Sequence, residues 1–79
     1  MDRTDLLKRI RRDGSGIVDQ FLPFGARAEL DGVLRDGHHE IDASAWLMFV
    51  SIRALLRNDG MASCESDHEA SQIMALLNT

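Results

Sequence analysis

The segment that most constrains the fold of this 79-residue chain runs from residue 45 to residue 56. Every position in it is apolar except Ser51 and Arg53. Either Asp42 or Ser44 can cap a helix at its start, and the sequence Asn-Asp-Gly supplies a stop at its end. A helix that is apolar around so much of its circumference must be covered by other helices or by a partner. The segment therefore predicts a central helix that ends at about Asn58.

The N-terminal part of the chain repeats apolar residues at helical spacing. Residues 6–10 predict a first helix, for which Thr4 or Asp5 is a suitable N-cap. The sequence Asp-Gly-Ser-Gly at residues 13–16 then predicts a stop or a sharp turn. Apolar residues between 17 and 22 predict that the helix resumes there or that a short second helix forms.

Pro23 ends this second helical segment, because proline lacks an amide donor and clashes with the preceding turn. Residues 26–34 again have helical spacing, although Gly32 weakens that prediction by roughly 1 kcal/mol relative to alanine. The Asp-Gly pair at residues 36 and 37 also allows a small hairpin. We favour a short helix or a loop over the hairpin.

The last helix is predicted from a capping box at residues 66–69, Ser-Asp-His-Glu. In this motif the Ser66 hydroxyl accepts from the Glu69 amide while the Glu69 carboxylate reaches back to the Ser66 amide. The spacing of the apolar residues that follow predicts which side chains face inward: Ala70, Ile73, Met74 and Leu77.

These segments predict an all-α fold, a small three- to four-helix bundle that forms a single domain over residues 1–79. The single cysteine excludes an intrachain disulfide, so packing alone must hold the bundle together. The predicted core consists of Leu7, Ile10, Leu34, Leu47, Val50, Leu55, Ile73 and Leu77.

Charge is unevenly distributed along the chain. The net charge is −4, and residues 1–12 carry five basic residues against two acidic ones, so the remainder is strongly acidic. An acidic body argues against nucleic acid as the main partner, since such binding depends on neutralising phosphates. It suits recognition by basic surfaces of other proteins. The chain has no signal-peptide pattern and no run long enough to cross a bilayer, so we expect a cytoplasmic monomer that does not enter membranes.

Few residues suggest catalysis or metal binding. His38, His39 and Glu40 are adjacent, but neighbours in sequence diverge in direction on a helix or a strand, which favours a polar loop over a metal site. Cys64 could in principle pair with a histidine such as His68, but no nucleophile signature surrounds it. The sequence therefore predicts no metal and no enzymatic activity.

Ser44 allows two interpretations. Serine is among the best N-cap residues, so Ser44 can simply begin the central helix. A hydroxyl at a helix N-terminus is also well placed to carry a phosphate group, because the helix dipole and the free amides favour negative charge there.

From Ile41 onward the sequence resembles the second half of an acyl- or peptidyl-carrier protein. That family is a four-helix bundle in which a serine at the start of the second helix, usually in Asp-Ser-Leu, carries a phosphopantetheine arm. Here Asp42 precedes Ser44, residues 46–55 resemble the apolar recognition helix of the family, and residues 70–77 resemble its closing helix.

The resemblance implies that intermediates are held as thioesters on 4′-phosphopantetheine attached to Ser44. Ala43 lies between Asp42 and Ser44, and in the alternative register it occupies the attachment position and blocks it. The implied partners are a phosphopantetheinyl transferase and the enzymes of a synthase pathway. The implied partner-binding residues lie along the central helix: Trp46, Leu47, Met48, Val50 and Arg53.

A different function also fits the apolar central helix. A small helical adaptor or inhibitor would bind one protein partner by placing that helix in a groove. Attachment of the arm by a transferase separates this alternative from the carrier.

Overall fold

The computed structural model describes residues 2–37 and 42–78 and contains five helices. Four are long and one, α2, is short: α1 (Arg3–Asp13), α2 (Gly16–Phe21), α3 (Ala26–Arg35), α4 (Ala43–Asn58) and α5 (Ser63–Leu77). No strand occurs in this part of the chain. The all-α prediction is confirmed, and so is the short helix favoured over a hairpin, since α3 extends from Ala26 to Arg35.

Helix α4 lies at the centre of the bundle, as its apolar circumference predicts. It packs most extensively against α5 and α2 and also contacts α3, while α1 packs on α2 and α5. The core cluster consists of Leu6, Ile10, Ile17, Ile52, Leu55, Leu56, Ala70 and Ile73. Neighbouring helices thus cover most of the apolar surface that α4 presents.

Half of the predicted core is confirmed. Ile10, Val50, Leu55 and Ile73 are buried, whereas the other four predicted core residues are only half-buried: Leu7, Leu34, Leu47 and Leu77. The predicted core omitted Leu6, Ile17, Ile52 and Leu56, whereas Ala70, which was predicted to face inward, is fully buried. Spacing identifies an apolar face, but the neighbouring helices decide which residue of that face lies at its centre.

Two predicted helix starts are wrong. Helix α1 is capped by Asp2, whose carboxylate accepts from the Thr4 amide at 3.4 Å, and not by Thr4 or Asp5. Helix α5 begins at Ser63, one turn before the predicted capping box. Ser66 consequently lies inside α5 and is fully buried.

The sequence left two candidates for the N-cap of α4, Asp42 and Ser44. Asp42 has an extended backbone, and its carboxylate accepts from the Ala45 amide at 3.2 Å. Of the two candidates, Asp42 is therefore the N-cap, and Ser44 lies in the first turn of the helix.

This assignment predicts different costs for two neighbouring substitutions. Asp42→Ala removes the cap and should lower the free energy of unfolding by about 1 kcal/mol. Ser44→Ala should change it by less than about 0.5 kcal/mol, because Ser44 is exposed and caps nothing. Urea unfolding of both variants measures the difference. Equal losses would show that the two residues share the capping role.

Candidate functional site

Ser44 is exposed in the first turn of α4, while Ala43 beside it is half-buried. Since Asp42 caps the helix, the Ser44 hydroxyl is not committed to a backbone amide. Of the two registers, Ser44 is thus the position whose side chain is accessible.

Ser44 lies on the rim of a surface depression that we call the interhelical hollow. It has a volume of about 350 Å³ and lies where the α1–α2 turn, α2, α3 and α4 meet. Its residues are Gly14, Ser15, Val18, Asp19, Arg27, Ser44, Leu47 and Met48. The hollow thus combines three apolar side chains with two hydroxyls, a carboxylate and a guanidinium.

Two of the residues that the sequence predicts for partner binding line the hollow. Leu47 and Met48 contribute to it, and Trp46 is half-buried nearby on the same helix. Val50, in contrast, is only 3% exposed, so its side chain belongs to the interior and is not available to a partner. The accessible apolar surface of α4 is therefore its N-terminal half.

Arg53 also has partners within the chain. Its guanidinium lies 5.5 Å from the centre of the Phe49 ring and 3.5 Å from an Asp67 carboxylate oxygen on α5. Both interactions hold Arg53 along the α4–α5 seam. Arg53 therefore links α4 to α5, and its role in partner binding stays a prediction.

A second arginine makes more hydrogen bonds between α4 and α5. Arg57 Nε donates to Ser66 Oγ at 2.8 Å, and its Nη2 donates to Asp67 Oδ1 at 3.0 Å. Ser66 Oγ in turn donates to the Ser63 carbonyl at 2.8 Å. The hydroxyl of the buried serine therefore both accepts and donates a hydrogen bond, as a polar group removed from water requires.

Phe24 is the most exposed large apolar side chain in the described part of the chain. It lies in the α2–α3 connection between Pro23 and Gly25, and Gly25 has φ of 89°. Proline fixes its own φ, glycine suits the left-handed backbone, and the Ala26 amide donates to the Pro23 carbonyl at 3.2 Å, which closes the turn that carries Phe24. The sequence prediction used this turn only as a helix stop and missed the exposed aromatic.

Arg3 and Glu69 join the first and last helices. The guanidinium donates to both carboxylate oxygens of Glu69, at 3.0 Å for Nη2 to Oε2. This hydrogen bond holds the pKa of Glu69 below its ordinary range, while partial burial opposes the shift. The pair is a link within the bundle and is not part of the hollow.

The Glu69 shift predicts how stability depends on pH. A carboxyl group whose pKa is lower in the folded state stabilises the fold above its unfolded pKa, about 4.3 for glutamate, and loses that contribution as the pH falls through the folded pKa. Glu69→Gln should therefore reduce the thermal midpoint at pH 7 and lose less stability between about pH 5 and pH 2 than the unmodified chain does. Thermal unfolding across that range tests this. Parallel pH curves would show that the pair contributes nothing in solution.

Within residues 2–37 and 42–78, no group of three or more His, Cys, Asp or Glu side chains is arranged to hold a metal ion. His38, His39 and Glu40 fall outside the described residues, so the polar loop predicted for them is not seen. Cys64 and His68 are both exposed on α5, away from the hollow. No helix among the described residues is long and apolar enough to cross a membrane.

Comparison with protein-family models, with curated proteins and with solved structures gave no significant match for this chain. The order of helices can still be set beside the carrier pattern. In that family the serine begins the second of four helices, whereas Ser44 lies in α4 and a single helix, α5, follows it in the described chain. The carrier resemblance therefore stays a prediction.

Proposed function

We propose that this chain is a non-catalytic helical module that acts by binding another protein. The observation that supports the proposal best is the full exposure of Phe24 on a turn that a hydrogen bond from Ala26 to Pro23 closes. An aromatic side chain left in water forgoes a burial that is worth several kcal/mol, at roughly 25 cal/mol per Å² over about 150–250 Å².

The constrained turn makes this exposed ring effective in binding. Residues that dominate protein interfaces are enriched in large anchors that fill a pocket. Pro23 and the hydrogen bond from the Ala26 amide to its carbonyl restrict the turn before any partner arrives, so less conformational entropy is lost on association. Substitutions that free the backbone of this turn should therefore weaken binding even though the Phe24 ring is still present.

The accessible half of α4 extends this surface. Arg27 on the rim of the hollow follows Phe24 by three residues, and Leu47 and Met48 lie in the hollow itself. The adaptor inferred from the sequence placed the central helix, with Trp46 and Phe49, in a groove of its partner. Phe24 and the hollow form the binding surface instead, because α5 and α2 cover the remainder of α4.

Photo-cross-linking in the source cells tests the proposal. Benzoylphenylalanine replaces Phe24 in one chain and the exposed Gln72 of α5 in a control chain. We expect discrete cross-linked species from position 24 and none of comparable yield from position 72. Equal yields, or no product from position 24, would contradict binding through Phe24.

A second candidate function, the carrier, is favoured by the surroundings of Ser44. Its exposed hydroxyl shares the hollow with Arg27, and a guanidinium is well suited to a phosphate. Val18, Leu47 and Met48 would shield the first part of a 4′-phosphopantetheine arm. In this role the partners are a phosphopantetheinyl transferase and synthase enzymes, and the chain itself performs no chemistry.

Intact-mass measurement after incubation with coenzyme A and a transferase tests the carrier function. A single adduct that disappears in Ser44→Ala would support it, and the nearly unchanged stability of that variant separates lost modification from unfolding. An adduct gained only by Ala43→Ser would place attachment one residue earlier, on a chain blocked as it stands. Absence of an adduct from all three chains would eliminate the carrier.

A further inference from the structure

We infer that the protein bound by the Phe24 turn is a second copy of this chain, with Phe24 of each copy inserted into the interhelical hollow of the other. This inference rests on the proposed binding function and names its partner. The chain carries both parts of such a contact, a protruding ring and a depression of about 350 Å³.

The lining of the hollow suits a phenyl ring. Val18, Leu47 and Met48 provide apolar contact, and the flexible thioether of Met48 can adapt to an inserted side chain. Ser44 and Ser15 add hydroxyls that can stay in contact with water at the edge. A single aromatic side chain is small enough to enter a depression of this size.

The other two phenylalanines of the chain indicate how the ring would be held. Arg9 lies 5.2 Å from the centre of the Phe21 ring, and Arg53 lies 5.5 Å from that of Phe49. Phe24 has no such arginine in its own chain among the described residues. Arg27 on the rim of the hollow forms no hydrogen bond or ion pair with a described residue, so its guanidinium is available to an incoming ring.

The charges on the rim favour a copy of the same surface. Asp19 and Arg27 both line the hollow, and they are exposed and opposite in charge. A surface of one sign would select an oppositely charged partner, whereas this rim is complementary to itself when turned by a two-fold axis. Phe24 and Arg27 both lie at the N-terminal end of α3, so the ring and the hollow are close in the chain, and in a two-fold contact each ring would meet the hollow of the other copy.

The contact should be weak and reversible. Two aromatic side chains and the hollows that receive them bury far less than the roughly 1,200 Å² of a stable interface. Dissociation constants of about 10 µM to 1 mM are therefore expected. The monomer predicted from the sequence would then be the dilute form.

Sedimentation equilibrium over a series of concentrations measures the association. We expect the unmodified chain to approach the dimer mass at high concentration, and Phe24→Ala to weaken association at least tenfold. Arg27→Ala should weaken it less, and Leu76→Ala, at an exposed position on α5, should leave it unchanged. A monomer at all concentrations, or equal association of Phe24→Ala, would overturn the inference.

Cysteine cross-linking establishes whether the ring enters the hollow. One tagged chain carries Phe24→Cys, a second carries Met48→Cys, and both carry Cys64→Ser to remove the native thiol. We expect a mixed disulfide under mild oxidation, and much less when Ala75→Cys replaces Met48→Cys. Equal yields from positions 48 and 75 would contradict insertion.

The result also separates the inference from the proposed function. If photo-cross-linking at position 24 gives a product of another mass while the chain stays monomeric, binding through Phe24 stands and the second copy is excluded. If position 24 gives no product, both fail.

Discussion

Leu55→Ala should lower the free energy of unfolding by about 2–5 kcal/mol, which approaches the whole stability of so small a domain. Leu55 is 2% exposed and lies in the core cluster where α4 meets its neighbours. Truncation loses the transfer free energy of the removed carbons and leaves a cavity that the surrounding helices fill only in part.

Chemical denaturation followed by circular dichroism measures this loss, and Leu76→Ala provides the matched control. Leu76 is 36% exposed on α5, so the same substitution there should cost less than about 1 kcal/mol. If Leu55→Ala cost no more than the control, the rotation of α4 about its axis would have to be different from that described.

Ala70→Leu should also destabilise the fold strongly, by about 1–3 kcal/mol or more, for the opposite reason. Ala70 lies on α5 and is fully buried in the core cluster. Three added carbon atoms have no space there, so side chains must leave their preferred rotamers or α5 must move away from α4.

Ala75→Leu is the control on the same helix. Ala75 is exposed, and alanine and leucine have similar helix propensities, so the free energy of unfolding should change by less than about 0.5 kcal/mol. Thermal unfolding of both variants compares the buried and the exposed position directly. Similar effects at the two sites would show that α5 is rotated relative to α4.

The helices themselves could be predicted from the sequence because their signals are local. The continuous apolar run of α4 requires a helix covered by others, and it is the central helix of the bundle. Gly14 has φ of 55° at the end of α1, where a glycine turn was predicted. Pro23 likewise separates α2 from α3, since a proline cannot continue the preceding helix.

Helix starts were predicted less well because distant residues compete for the capping side chains. The capping box at Ser66 and Glu69 is a genuine local pattern, yet both side chains bind residues elsewhere. Arg57 on α4 donates to Ser66, and Arg3 on α1 donates to Glu69. These contacts draw Ser66 into the interior of the bundle, and α5 begins one turn earlier.

The candidate site divides in the same way. Ser44 and the apolar residues after it could be identified from the sequence, because a serine directly before a long apolar segment is a local pattern. The hollow could not, since it is formed by α2, α3, α4 and the α1–α2 turn, which are distant in the chain. Arg27 and Val18 had no local pattern that would connect them with Ser44.

The sequence by itself determined that this protein is helical, where its turns fall and that its central helix must be enclosed, because periodicity, glycine and proline act over a few neighbouring residues. Only the tertiary structure decided that Leu6 and Ile52 lie in the core, that Val50 is withdrawn from the surface and that Phe24 is left in water. Those outcomes depend on how the helices are rotated against one another, and that rotation is set by packing between residues far apart in the chain.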